Sequence, residues 1–219
     1  MSTPTDRGTI GIIGAGKSGV AIARLALDAR YSVNIASSGP ATQTKLMVDI
    51  VAPGANAVDI ANVPNGAEFV VIAVPLRRYR ELPLDRLAGH AVIDVMNYWP
   101  PIDGILPEFE DTDRPSSAVV QDALPSTAHL VKTFNHLGYH QMEDLARPAG
   151  ASERVALGIA SDHTTTAEKV AAFVDAVGFD SVYIGGLDHS GALQPETALF
   201  GAAMPAHEIE KQLTVSAAR

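Results

Sequence analysis

The chain has 219 residues, 47% hydrophobic and 19% charged, with 18 glycines and 14 prolines. That is apolar material for one sizeable core, and the Gly and Pro content is well short of the about 25–30% that marks low-complexity chains. There is no cysteine, which excludes disulfides, thiolate metal sites, iron–sulfur clusters and cysteine nucleophiles. A net charge of −9 and a pI near 5.1 oppose binding to nucleic acid or anionic membrane, because both need positive potential.

The polar start from Met1 to Gly8 has no apolar stretch behind it. The apolar runs, such as Phe69–Val74, fall far below the ~20 residues of a membrane span. The expectation is a cytoplasmic protein whose partners are small molecules, without nucleic acid or membrane.

Short apolar runs alternate with helix-like segments, the pattern of a parallel sheet covered by helices. Strands are expected at Thr9–Ile13, Ser32–Ala36, Ala57–Ile60, Phe69–Val74, Ala91–Val95 and Leu130–Phe134. Helices are expected at Ser18–Asp28, Ala41–Val51 and Ser116–Leu124, the last with Ser116 or Ser117 as N-cap. Asn97–Pro115 carries four prolines and reads as a long surface loop. Beyond it come a helix at Gln141–Arg147, a strand at Arg154–Ile159, a helix at Thr164–Val177 and a strand at Ser181–Ile184. A further helix is expected near Glu196–Phe200, with frayed final residues. The fold class is α/β, a doubly wound and mostly parallel sheet with a small C-terminal extension. Residues 1–136 form the dinucleotide-binding domain. Residues 137–219 extend the sheet and close a second cleft.

The segment Gly14-Ala15-Gly16-Lys17-Ser18-Gly19 is a G-x-G-x-x-G that follows an apolar strand directly and opens a helix. That context makes it a Rossmann-type dinucleotide signature rather than a chance match. Gly14 permits the tight turn, Gly16 lets backbone approach a pyrophosphate, and Gly19 lets the helix lie close to the sheet. The helix N-terminus adds free N–H groups and partial positive charge.

The second strand ends in Ala36-Ser37-Ser38-Gly39, where an NAD site would carry Asp or Glu. Without a carboxylate nothing repels a 2′-phosphate, so NADP(H) is favoured, with Ser37, Ser38 and Lys45 as its contacts. The two serines also read as caps of the next helix. Ala73, Val74 and Pro75 at the end of the fourth strand flank the nicotinamide half. The arginines Arg77, Arg78 and Arg80 behind them suit a phosphate or a solvated face equally. Asn97 and Asn135 end the fifth and sixth strands in the same crevice.

These residues resemble the NADPH-dependent coenzyme F420 reductase family, in the glycine loop, the VIAVP strand end, DVMNYWPPIDG and VKTFNHLGYHQMEDLARPAG. The resemblance runs from roughly Thr9 to Phe200. It implies NADP(H) and coenzyme F420, an 8-hydroxy-5-deazaflavin, exchanging a hydride directly without protein acid–base chemistry. The family commonly has a Ser/Thr-Arg pair after the second strand, whereas here Ser38 is followed by Gly39. The resemblance also implies that Ser190–Ala203 closes over the second cofactor.

Two other functions fit the residues. A dehydrogenase of a small carbonyl or other acceptor would need a proton donor, for which His136 is the one candidate. A dinucleotide-binding redox sensor would need none. His136 and His140 stand four apart but lack a third ligand, so no metal is expected. Tyr98 and Trp99 suit either a lid over a planar ring or an anchor for their loop. A tail packed across a twofold axis would make a homodimer.

Overall fold

The structure is a computed structural model that describes residues 7–110 and 113–217. Met1–Asp6, at the polar start, and the last two residues of the tail lie outside the described residues. The core is one eight-stranded sheet: β1 (Thr9–Ile13), β2 (Ser32–Ala36), β3 (Asn56–Ala57), β4 (Ala67–Ile72), β5 (Ala91–Asp94), β6 (His129–Lys132), β7 (Ala156–Ala160) and β8 (Asp180–Gly185). Their spatial order is β3-β2-β1-β4-β5-β6-β7-β8. All neighbours run parallel except β6 and β7, which meet antiparallel at Lys132 and Ala160. This is the doubly wound α/β architecture with a C-terminal extension of the same sheet.

The helices are α1 (Lys17–Asp28), α2 (Ala41–Val51), α3 (Pro100–Asp103), α4 (Pro107–Glu110), α5 (Ser116–Ala123), α6 (Tyr139–Leu145), α7 (Thr164–Ala176) and α8 (Ala206–Ala217). Alternation along the strands divides the core between two faces. Ile10, Ile12, Ile35, Val71, Ile93 and Val131 pack under α1 and α7. Ile13, Val70, Ile72, Val92 and Leu130 face α5 and the short turns around Leu76 and Leu87. Phe173 of α7 is fully buried, its ring 5.4 Å from Tyr31, 5.7 Å from Phe69 and 6.0 Å from Phe134. The C-terminal part therefore shares its core with the first strands.

Several expectations need correction. The third strand is only Asn56–Ala57, and the chain then makes a 3-10 turn at Ile60–Asn62. The proline-rich 97–115 segment holds two one-turn helices, α3 and α4, because Pro100 and Pro101 sit at a helix start, where their missing N–H costs nothing. Pro115, not a serine, occupies the N-cap of α5, and the Ser117 hydroxyl instead donates to Asp94 Oδ2 at 2.7 Å. Glu196–Phe200 is irregular, and the last helix comes later, as α8, with buried Ile209 packed in a small cluster with Leu193 and Leu199. Among the described residues no helix is long and apolar enough to cross a membrane.

Candidate functional site

The chain leaves β1 toward β2 and β3, then returns to β4 on the other side of β1. The crevice at the carboxyl ends of β1 and β4 is therefore the switch point where ligands of such sheets lie. Gly14 turns there with φ +117°, and a Cβ on it would stand 2.3 Å from the Ala73 carbonyl oxygen. A Cβ on Gly19 would stand 1.9 Å from the Gly14 carbonyl oxygen, so this glycine lets α1 seat against the loop. Gly16 is different: a Cβ there would meet nothing within 4 Å. The space before it is open.

Gly16 is also the N-cap of α1, with no capping side-chain hydrogen bond and no acid in the first turn. The first N–H groups of α1 thus face that space with their partial charge unopposed by a side chain. Lys17 is exposed beside them, its Nζ 5.1 Å from the centre of the Tyr139 ring. Ala15 packs on the core and Ser18 is half-buried.

From Gly14 the crevice runs toward the end of β2. Ile13, Gly14, Ser37, Ser38, Val74 and Arg78 line an inner cavity of about 50 Å³. An adjoining cavity of about 290 Å³ is lined by Ser37, Ser38, Gly39, Asp59, Arg78 and Glu81. Lys45 lines neither, since its Nζ lies 3.0 Å from both carboxylate oxygens of Asp49 on the exposed side of α2. The cap of α2 is Asp59, whose Oδ1 accepts the Ala41 N–H at 2.8 Å, rather than Ser37 or Ser38.

At the other end of the crevice Asn97 and Asn135 meet. Asn97 Nδ2 donates to the Asn135 carbonyl at 2.8 Å, and Asn135 Nδ2 donates to Asn97 Oδ1 at 2.9 Å and to the Leu193 carbonyl at 2.7 Å. Asn135 Oδ1 is buried without a donor. Such an orphan acceptor costs about 1–3 kcal/mol unless something donates to it. Phe134, immediately before, is fully buried at φ +63°, a strained conformation for an aromatic residue that turns the chain out of β6.

Beneath this pair Lys132 is wholly buried, its Nζ 3.2 Å from Asp94 Oδ2 and bonded to the Met96 carbonyl. Burial pushes the Lys132 ammonium down while Asp94 opposes that shift. His136 is also buried, and its Nε2 accepts the Gly158 N–H at 3.4 Å. Desolvation, and then the nearby Lys132 charge, hold its imidazole down to about 4. At neutral pH it is an uncharged internal group, poorly suited to deliver a proton.

Next to Asn97 opens a cleft of about 430 Å³ lined by Tyr98, Trp99, Pro100, Pro101, Phe109, Glu110, Gln194, Pro195 and Glu196. Leu193, which fixes Asn135, leads directly into its far wall. Tyr98 and Trp99 play different parts here. The Tyr98 ring lies 5.3 Å from Phe109, and its hydroxyl donates to Glu110 at 2.7 Å, so it anchors the loop. Trp99 is 41% exposed and free to meet a ligand. Glu196 stands opposite at φ +69°. The tail is pinned to the same corner, with the Gly201 N–H donating to the His136 carbonyl at 2.7 Å.

Residues 9–98 match the family described as NADP oxidoreductase, coenzyme F420-dependent. This part of the chain is thus an NAD(P)-dependent oxidoreductase domain. Among solved structures, a hypothetical protein of Sinorhizobium meliloti is 25% identical with a TM-score of 0.73, over 90% of this chain and 95% of that one. A protein of Arthrobacter sp. FB24, described provisionally as an F420-dependent NADP reductase, is 22% identical with a TM-score of 0.71, over 84% and 88%. The reductive aminase of Aspergillus terreus, solved with NADPH and ethyl levulinate, shares the fold at 15% identity and a TM-score of 0.56, over 85% of this chain and 57% of that one. Comparison with curated proteins gave no match.

The crevice brings together Gly14, Gly16, Ser37, Ser38, Ala73 and Val74, and its far end holds Asn97 and Asn135. Pro75 begins the 3-10 turn Leu76–Glu81 that carries Arg78 inward. His140 is exposed with its ring 4.1 Å from that of Tyr139, and no group of three or more His, Asp or Glu side chains among the described residues is set to hold a metal. The placement of Arg78 and Asp59 against Ser38 has no local sequence signal, because both arrive from connections on neighbouring strands.

Proposed function

We propose that this chain is an oxidoreductase that passes a hydride between NADP(H) and a deazaflavin, coenzyme F420. The observation that carries the reading is the uncapped N-terminus of α1 behind open space at Gly16, set at the switch point of the sheet. The residues present fit a dinucleotide. The first-turn amides of α1 bind the pyrophosphate, Ser37 and Ser38 bind the adenosine ribose, and the donorless Asn135 Oδ1 suits the carboxamide N–H of a nicotinamide. Trp99 and the Pro100–Pro101 wall orient a second flat ring beside Asn97. When bound, the two cofactors supply the hydride donor and the hydride acceptor between them. The protein then has only to align them and exclude water, which agrees with a buried, uncharged His136.

The cleft also favours a second reading. It presents Glu110 and Glu196 and no cationic side chain, an environment that suits a neutral or positively charged acceptor. An iminium carbon takes a hydride without needing a proton from the protein. The reductive aminase noted above shares the fold.

The test is NADPH oxidation with purified protein, offered oxidised F420, a cyclic imine and a ketone in turn. Enzyme-dependent bleaching of the deazaflavin supports the first reading. NADPH consumption with the imine and none with F420 supports the second. Turnover with the ketone alone contradicts both.

A further inference from the structure

We propose that Arg78 selects the 2′-phosphate of NADP(H), acting from the connection after β4 in place of the arginine missing after Ser38. The proposal rests on the reading of the glycine loop as a dinucleotide site. Four cations stand near the adenosine end in sequence: Lys45, Arg77, Arg78 and Arg80. The structure commits three of them elsewhere. Lys45 is paired with Asp49 at 3.0 Å. Arg77 donates to the Ile102 carbonyl, while its backbone N–H bonds Asp103 at 3.1 Å. Arg80 lies 4.9 Å over the Tyr79 ring, with Nε 3.6 Å from Glu108.

Arg78 alone of these lines both cavities that hold Ser37 and Ser38, and the inner one also contains Gly14. It is therefore in the same groove as the pyrophosphate loop. Its Nε donates to Glu81 at 2.9 Å, and its two terminal nitrogens donate to no group among the described residues. A guanidinium with its outer nitrogens unengaged is arranged to take a phosphate in a bidentate manner.

The other source of positive charge, the N-terminus of α2, is already spent on Asp59. Asp59 and Glu81 both face the larger cavity, so the phosphate competes with Glu81 for the guanidinium. A 2′-hydroxyl carries no charge with which to compete. Discrimination between NADP(H) and NAD(H) then resides in Arg78, with Glu81 as the internal occupant that the phosphate displaces.

The experiment is calorimetric titration of wild type, Arg78→Ala, Arg78→Lys and Glu81→Gln with adenosine 2′,5′-bisphosphate and with 5′-ADP, alongside NADPH. Two charge-assisted hydrogen bonds lost should weaken the 2′,5′-bisphosphate by about 10- to 100-fold in Arg78→Ala. The 5′-ADP should bind as before, Arg78→Lys should recover part of the loss, and Glu81→Gln should tighten the 2′-phosphate ligand severalfold. Equal weakening of both nucleotides would overturn the proposal by making Arg78 an adenine contact. Unchanged binding of both would overturn it while leaving the dinucleotide site in place. Failure of wild type to bind NADPH or either nucleotide would overturn the proposal together with the dinucleotide reading beneath it.

Discussion

The two ends of the crevice are built on opposite plans. At the β1–β2 end the glycine loop is backbone against backbone, with open space in front of Gly16 and an uncapped helix facing it. At the β5–β6 end the site is made of side chains held by other side chains: Asn97 by Asn135, Asn135 by Leu193, and the strand ends by a buried Lys132–Asp94 pair. The first end serves any dinucleotide, since phosphates are met by amides that no substitution of side chains removes. The second can be re-specified by changing a few residues, and its shape depends on the C-terminal segments that cover it. Such a division lets one fold keep its hydride source while acceptors differ.

The largest effect expected bears on whether these ends belong to one folding unit. Phe173 comes from the C-terminal part and packs on Tyr31 and Phe69 of the first. Phe173→Ala should cost about 3–5 kcal/mol and lower a single denaturation transition. Two separate transitions, with the first strands unaffected, would show that the halves fold independently.

A second effect sharpens the contrast through pH. Burial holds the His136 imidazole down to about 4 against an ordinary value of 6.5. Between those values the unfolded chain takes up a proton that the folded chain refuses, so stability falls as pH drops from 6.5 toward 4 and is unaffected above 6.5. The loss amounts to about 3 kcal/mol at the acid end. His136→Gln should lack this component, so urea titrations at pH 7.5 and 4.5 should show the stability gap between wild type and variant shifting by that amount. A constant gap would mean that the side chain is open to solvent.

The smallest effect separates the roles of the glycines. Gly19→Ala forces a Cβ onto the Gly14 carbonyl and should destabilise by about 1–3 kcal/mol. Gly16→Ala meets open space and should leave stability nearly unchanged, because any cost falls on a bound pyrophosphate. Equal melting temperatures for the two variants would remove the distinction.

These comparisons follow what was legible in the sequence. The loop could be read because each glycine answers a local steric demand, and the strands β1, β2, β4 and β5 because burial on both faces leaves them continuously apolar. The third strand was misread because Ala57–Ile60 has the composition of a strand while pairing only at its start. Helix α8 went unseen because Ile209 is its one fully buried apolar residue. The Arg77–Arg80 group stayed ambiguous, since its allocation depends on how the β4 connection folds over α3 and β2. Tyr98 and Trp99 were inseparable for a similar reason: only the partners Phe109 and Glu110 divide anchor from lid.

The account's central claim is that a dinucleotide on the glycine loop reaches the cleft beside Asn97. Trp99, the single tryptophan of the chain, stands in that cleft and reports on it directly. The measurement is Trp99 emission during titration with NADPH, then with F420, in wild type and in Gly16→Ala. Wild type should be quenched by both ligands, and Gly16→Ala should lose the NADPH response at least tenfold in affinity while keeping the response to F420. NADPH quenching that survives in Gly16→Ala, or no NADPH response in wild type, would contradict the claim.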